Sequence, residues 1–170
     1  MGQGNIILIG MMGSGKTTVA KELSQVLYGY NLIDIDNEIE KSSNKKISEI
    51  FLRFGEKHFR ILEEDKIKLF CKKSKQIISI GGGAFENPEN RDVLLNCGKV
   101  IYLKSSPEEI YKRIKNEFHR PLLKKNFSVE RISEIIKARE SNYKKAHITI
   151  DTDGKSPYDV VKEICGVING

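Results

Sequence analysis

A glycine-rich stretch near the start of the chain, Gly10–Thr17, has the residue types that bind phosphate. It matches the pattern G-x-x-x-x-G-K-[ST] and lies between the apolar run Asn5–Ile9 and the helical pattern Thr17–Leu23. Glycines let backbone N–H groups curl around an anion, and a helix N-terminus adds a partial positive charge. Lys16 can reach the β- and γ-phosphates, and the Thr17 hydroxyl can ligate magnesium. The stretch therefore predicts a nucleoside triphosphate site rather than a flexible turn that binds nothing.

Two further groups of residues follow predicted strands. Asp34 and Asp36 are two apart, so on a continuing strand they would share one face, where one could hold magnesium and the other a substrate hydroxyl. The competing interpretations are an N-cap for Asp36 and a solvated strand end for Asp34. Three consecutive glycines, Gly81–Gly83, would let the backbone approach a ligand closely and offer N–H donors.

Several charged side chains lie on predicted helices or loops. Arg60 and Glu63 are three apart on one helix face, so the residues alone favour an ion pair between them. Arg120 lies in the charge-dense stretch Asn116–Asn126, which predicts a mobile loop, and Arg139 lies on a late helix. An arginine can neutralise a transferring phosphoryl group or clamp a carboxylate, but residue type alone does not single these two out.

The elements that must position these residues alternate along the chain. The predicted strands are Asn5–Gly10, Asn31–Ile35, Gln76–Ile80, Lys99–Leu103 and His147–Asp151. The predicted helices are Lys16–Tyr28, Asn37–Ser42, Ile47–Cys71 with a break at Gly55, Glu89–Asn96, one opened by Ser106 and Pro107, Ser128–Lys145 and Ser156–Ile168. This alternation favours a parallel sheet covered on both faces, which binds ligands at the carboxyl ends of its strands.

Composition narrows the class of protein. A chain of 170 residues is expected to form one domain, 1–170. The net charge of +6 comes with lysines spread along the chain, which favours a solvated surface over a nucleic-acid surface. The three cysteines are far apart without a C-x-x-C pair, so reduced thiols are expected rather than a disulfide framework or a structural metal site. Without a signal segment or a membrane-length apolar run, we expect a cytoplasmic protein.

Together these stretches resemble the shikimate kinases, from about Ile6 to Pro157. The segments that share the family's order and spacing are Gly10–Thr18, Leu32–Asp36, Gly55–Glu63, Ile80–Gly83, Arg120–Leu123 and Ala138–Tyr143. The resemblance implies an α/β three-layer P-loop kinase fold with a five-stranded parallel sheet, a helical substrate-binding insertion at about 37–64 and a lid at about 116–126. It also implies transfer of the ATP γ-phosphoryl group to the 3-hydroxyl of shikimate, on the route to chorismate and aromatic amino acids, by a magnesium-dependent monomer.

The same resemblance assigns the site residues. The nucleotide-binding set is Gly13, Ser14, Gly15, Lys16, Thr17, Thr18, Arg113, Arg120 and Lys155, the last standing where some relatives have an arginine. The substrate-binding set is Asp36, Arg60, Glu63, Gly81, Gly82, Gly83 and Arg139, with Arg60 and Arg139 on the shikimate carboxylate. Lys16, Asp36 as candidate base and the lid residue Arg120 form the catalytic set. Thr17 and Asp34, the latter through water, form the metal set, because Ile77–Gly81 occupies the Walker B position without an aspartate.

Two alternatives remain at this point. Another small-molecule kinase of the same fold, such as a gluconate or nucleoside monophosphate kinase, is disfavoured by the segment Gly55–Arg60 and by the single insertion. A regulatory or nucleic-acid-associated nucleotide binder without turnover is disfavoured by the intact charged residues of the site.

Overall fold

The computed structural model describes residues 4–115 and 128–169. Its strands are β1 (Asn5–Ile9), β2 (Asn31–Asp34), β3 (Gln76–Ser79), β4 (Gly98–Lys104) and β5 (Ile148–Asp151). Its helices are α1 (Lys16–Val26), α2 (Ile35–Ser43), α3 (Ile47–Cys71), α4 (Pro88–Cys97), α5 (Pro107–Ile114), α6 (Val129–Tyr143) and α7 (Pro157–Asn169). A short 3₁₀ turn, Ala84–Glu86, was not predicted. The predicted lid at 116–126, with Arg120, lies outside the described residues.

The five strands form one parallel sheet in the order β2-β3-β1-β4-β5, which confirms the expected sheet. β1 lies at the centre, with Ile6 paired to Ile77 of β3 and to Lys99 of β4. The ladder continues past β3, where the Ile80 N–H donates to the Leu8 carbonyl at 3.3 Å. The segments that follow β1 and β3 therefore leave the sheet side by side.

Helices cover both faces of the sheet because the side chains of β1 alternate between two cores. Ile7 and Ile9 belong to the core under α2, α3 and α4, whereas Ile6 and Leu8 belong to the core under α1 and α7. Every residue of β1 is buried, as expected for a central strand of a parallel sheet. A third, smaller cluster joins the segment after β1, through Met11, to α5 and α6. The expected α/β three-layer architecture is confirmed.

Local signals place most helix starts. The Ser106 side chain accepts the Glu109 N–H at 3.2 Å, with Pro107 in the first turn, as predicted for the start of α5. Gly55 interrupts α3 with φ 78° and ψ 172°, so the predicted break is confirmed.

The second strand ends earlier than predicted, and this changes the roles of the two aspartates. β2 stops at Asp34, whose extended backbone (φ −107°, ψ 115°) and side chain cap α2 by accepting the Asn37 N–H at 3.1 Å. The interpretation of Asp36 as the N-cap is therefore wrong. The two aspartates also do not share a strand face, because Asp36 lies in the first turn of α2.

The prediction that the cysteines are reduced thiols is wrong for one pair. Cys71 and Cys97 form a disulfide with their Cα atoms 5.4 Å apart, because the C-terminal ends of α3 and α4 meet beside the sheet. Cys165 is free and half-buried. Among the residues described, we find no helix with the length and apolar character that crossing a membrane requires.

Candidate active site

The loop between β1 and α1 forms a tight cradle of backbone groups. Gly15 caps α1 in the left-handed region (φ 92°, ψ 9°), a conformation that costs glycine little. The Lys16 ammonium donates to the carbonyl oxygens of Gly10 at 2.9 Å and Met11 at 3.0 Å, so its charge lies over the loop. The first N–H groups of α1 lack intrahelical partners and are available to an anion. This geometry suits a polyphosphate.

A pair of hard oxygen ligands lies at the edge of this cradle. The Thr17 hydroxyl donates to an Asp34 carboxylate oxygen at 3.4 Å, and the other oxygen of that carboxylate caps α2. Hydroxyl and carboxylate oxygens are the ligands that Mg²⁺ prefers, usually completed by water and substrate phosphates. The described part of the chain contains no cluster of three or more His, Cys, Asp or Glu side chains that could hold a metal ion alone. The Thr17 and Asp34 oxygens fit the protein side of a site for nucleotide-bound Mg²⁺.

The glycine turn after β3 carries cations at one end. A Cβ at Gly83 would lie 2.8 Å from Nη2 of Arg60, and a Cβ at Gly82 would lie 3.3 Å from Nη1 of Arg139. The guanidinium groups of α3 and α6 can approach this closely because the turn has no side chains. Two arginines from separate helices thus flank the same short backbone segment, an arrangement suited to a carboxylate.

The other end of the turn carries carboxylates. A Cβ at Gly81 would lie 3.4 Å from Oε1 of Glu63 and 3.7 Å from Oδ1 of Asp36. Glu63 is fully buried; its Oε2 accepts from Arg60 Nη1 at 2.8 Å, whereas its Oε1 has no hydrogen-bond partner among the described residues. Burial raises the pKa of the Glu63 carboxyl, the Asp36 charge acts in the same direction, and the Arg60 guanidinium opposes both. Because Glu63 Oε1 and Asp36 Oδ1 both lie near Gly81, this end of the turn offers acceptor oxygens to a ligand hydroxyl. The predicted ion pair between Arg60 and Glu63 is confirmed.

The turn and the cradle are in direct contact. A Cβ at Gly82 would lie 3.0 Å from the Gly10 carbonyl oxygen, and Arg139 Nη1 lies 4.0 Å from the Met11 sulfur. A molecule held by the turn would therefore lie next to a polyphosphate held by the cradle.

Two residues predicted on the nucleotide side have protein partners in this structure. Arg113 donates to the Ser105 hydroxyl at 3.0 Å and the Thr152 carbonyl at 3.0 Å, which ties the ends of β4 and β5 together. Its Nη1 also lies 3.5 Å from the Gly13 carbonyl of the loop after β1. Lys155 pairs with Glu163 of α7 at 2.6 Å. Contacts of either residue with a nucleotide base remain predictions, as does the role of Arg120.

One residue of the site was missed by sequence reasoning. Tyr143 is fully buried, and its hydroxyl donates to the Gly82 carbonyl at 2.6 Å. The sequence feature that could have indicated Tyr143 is its position four residues after Arg139, because this spacing places both side chains on one face of α6.

Comparison with known proteins agrees with this geometry. A family model described as shikimate kinase matches residues 12–169. The shikimate kinase of Persephonella marina is 44% identical over 96% of this chain and 98% of its own length. That of Geobacter metallireducens is 42% identical over 98% of this chain and 92% of its own.

Solved structures give the same result. A shikimate kinase from Acinetobacter baumannii in complex with shikimate superposes with a TM-score of 0.91 at 33% identity, covering 97% of this chain and 92% of that one. The enzyme from Aquifex aeolicus gives 0.85 at 35% identity, covering 98% of this chain and 96% of that one. The expected P-loop kinase fold is thereby confirmed, and the chain belongs to the shikimate kinase family.

Proposed function

We propose that this chain transfers the γ-phosphoryl group of ATP to the 3-hydroxyl of shikimate, on the route to chorismate and the aromatic amino acids. The observation that carries the proposal is the glycine turn, with arginines at Gly82 and Gly83, carboxylates at Gly81 and the phosphate cradle alongside. Shikimate has a carboxylate at one end and ring hydroxyls at the other, so its two ends match the two ends of the turn.

Binding of the acceptor follows from the charges. Arg60 and Arg139 would hold the carboxylate through charge-assisted hydrogen bonds, which are stronger and more directional than neutral ones. Asp36 and Glu63 would accept hydrogen bonds from the hydroxyls, with the unpartnered Glu63 Oε1 as one acceptor. Holding the hydroxyl beside the terminal phosphate supplies most of what a phosphoryl transfer needs.

The chemical step requires one proton to move. As the 3-hydroxyl oxygen bonds to the γ-phosphorus and the bond to the ADP oxygen breaks, the hydroxyl proton would pass to Asp36. Lys16 would neutralise charge on the β- and γ-phosphates, and Arg120 of the lid would do the same.

Thr17 and Asp34 would hold the Mg²⁺ of the nucleotide, Thr17 directly and Asp34 through water. When bound, the ion neutralises charge on the β- and γ-phosphates. The 3.4 Å contact between these two side chains supports the assignment, since one ion can be reached from both.

We further propose that the protein acts as a monomer in the cytoplasm, where ATP is supplied. The resemblance to the shikimate kinases supports the monomer. Light scattering across a concentration series tests the monomer, and cell fractionation tests the location.

The decisive experiment measures ADP release from magnesium-ATP with shikimate, gluconate, AMP or no acceptor. We expect turnover with shikimate alone. Preference for gluconate or AMP would contradict the proposal in favour of a related small-molecule kinase. Tight ATP binding without turnover on any acceptor would contradict it in favour of a regulatory nucleotide binder.

A further inference from the structure

Tyr143 lies directly beneath the glycine turn. Its ring stacks on Tyr102 of β4 with the centroids 4.7 Å apart, and its side chain is fully buried. The hydroxyl donates to the Gly82 carbonyl at 2.6 Å. The ring is thus fixed by the core, and its single polar atom is directed at the backbone of the acceptor site.

The same hydroxyl lies beside Arg139. The Tyr143 oxygen and Arg139 Nη1 would lie 3.1 Å and 3.3 Å from a Cβ at Gly82, so both flank one backbone position. Burial raises the pKa of the Tyr143 phenol, and the Arg139 guanidinium acts in the opposite direction. Since the hydroxyl proton is directed at Gly82, the lone pairs of the oxygen remain available to the guanidinium.

The glycine turn and the Arg139 side chain both need an outside contact that holds them in place. Three consecutive glycines have more conformational freedom than any other tripeptide, so Gly81–Gly83 holds one geometry only if outside contacts fix it. Arg139 is a long side chain, and its Nη1 lies 4.0 Å from the Met11 sulfur, a weak acceptor. Without the phenol, both the turn and the guanidinium would sample other positions.

We propose that Tyr143 is a positioning residue for shikimate. Its hydroxyl fixes the Gly82 carbonyl and keeps the Arg139 guanidinium at the carboxylate end of the acceptor site. This rests on the proposed function, because it assigns Tyr143 to the binding of that acceptor.

The test is Tyr143→Phe, which keeps the ring and its stacking and removes one oxygen. We expect the KM for shikimate to rise about 5- to 30-fold, as for loss of one hydrogen bond that involves charged or buried groups. The kcat and the KM for ATP should stay within about twofold of wild type. The matched control is Tyr102→Phe, the same chemical change on the stacked ring, which should leave both KM values unchanged.

A double-mutant cycle with Arg139→Ala distinguishes positioning from a merely structural role, because only positioning makes the effect of Tyr143→Phe on the KM for shikimate depend on Arg139. If Tyr143 acts through Arg139, Tyr143→Phe should raise the KM for shikimate less in the Arg139→Ala background than in wild type. Fully additive effects of the two substitutions would overturn the coupling. Equal rises in the KM for shikimate and the KM for ATP, together with a lowered Tm, would show that Tyr143 has a structural role instead of a positioning one. If wild type turns over shikimate and Tyr143→Phe has the wild-type KM, this inference fails alone. If wild type does not turn over shikimate, the proposed function itself fails.

Discussion

The two halves of the site are built in different ways. In the proposed nucleotide half, the cradle for the phosphates comes from one contiguous stretch, Gly10–Thr18, and uses mainly backbone groups and one lysine. The acceptor half is assembled from side chains of α2, α3 and α6 that converge on Gly81–Gly83. The difference teaches that phosphate binding depends on the path of the backbone, whereas acceptor choice depends on a few side chains held in place by tertiary packing. Substitutions in the acceptor half should therefore affect one substrate and spare the other.

The largest expected effect is on Asp36, the acceptor-half residue nearest to chemistry. Asp36→Asn should lower kcat about 10²- to 10⁴-fold, because the amide cannot take the hydroxyl proton. The KM for ATP should change less than about twofold. Steady-state kinetics check this, with Asp65→Asn, an exposed residue of α3, as the control. A kcat near wild type would show that Asp36 is not the base.

The disulfide between the ends of α3 and α4 should matter for stability. Cys71 and Cys97 are 26 residues apart in the chain and link α3, which carries Arg60, to α4, which follows the glycine turn. Replacing both with serine should lower the free energy of unfolding by about 3–4 kcal/mol, the value for a loop of this length. Urea unfolding measures it, with Cys165→Ser as the control. A wild-type unfolding curve that does not respond to reductant would contradict the link.

Substitution of Arg139 tests whether the acceptor half affects the KM of one substrate alone. Arg139→Ala should raise the KM for shikimate about 10- to 100-fold, because a charge-assisted hydrogen bond to the carboxylate is lost. The KM for ATP should change far less. Arg131→Ala is the matched control, since Arg131 lies on the same helix in an exposed pair with Glu134. Equal rises in both KM values would remove the distinction between the halves.

Asp34 lies where the two halves meet, at the end of β2 beside the cradle. Asparagine caps helices as well as aspartate does, so Asp34→Asn should keep α2 and the Tm. It should raise the Mg²⁺ concentration for half-maximal activity about three- to tenfold, as for loss of a water-mediated charged contact. A magnesium titration at fixed ATP checks this. An unchanged magnesium requirement would leave Asp34 as a helix cap only.

Local chemistry explains what sequence alone could predict. The P-loop is recognisable because its function is local, and the start of α5 because Ser106 and Pro107 act within one turn. The break at Gly55 could be predicted because glycine is unfavourable in the interior of a helix. The order of strands and helices followed from the alternation of short apolar runs with helical spacing.

The rest depends on contacts between distant segments. Cys71 and Cys97 meet only because α3 and α4 end at the same place, which no spacing rule reveals. The roles of Asp34 and Asp36 depend on where β2 ends, and that end is set by the pairing of β2 with β3. Tyr143 was missed because its partner is a backbone carbonyl 61 residues away, invisible to motifs built from side chains.

The adjacency of β1 and β3 has a consequence for inhibitor design. Backbone pairing, continued by the 3.3 Å bond between Ile80 and Leu8, sets the spacing of the cradle and the glycine turn. A bisubstrate compound that tethers a nucleoside polyphosphate to a carboxylate-bearing ring would meet two subsites at a fixed separation. Its second half would then bind at a high effective concentration, provided that the tether length matches this separation. Tether length, rather than the chemistry of either end group, is the variable to optimise first.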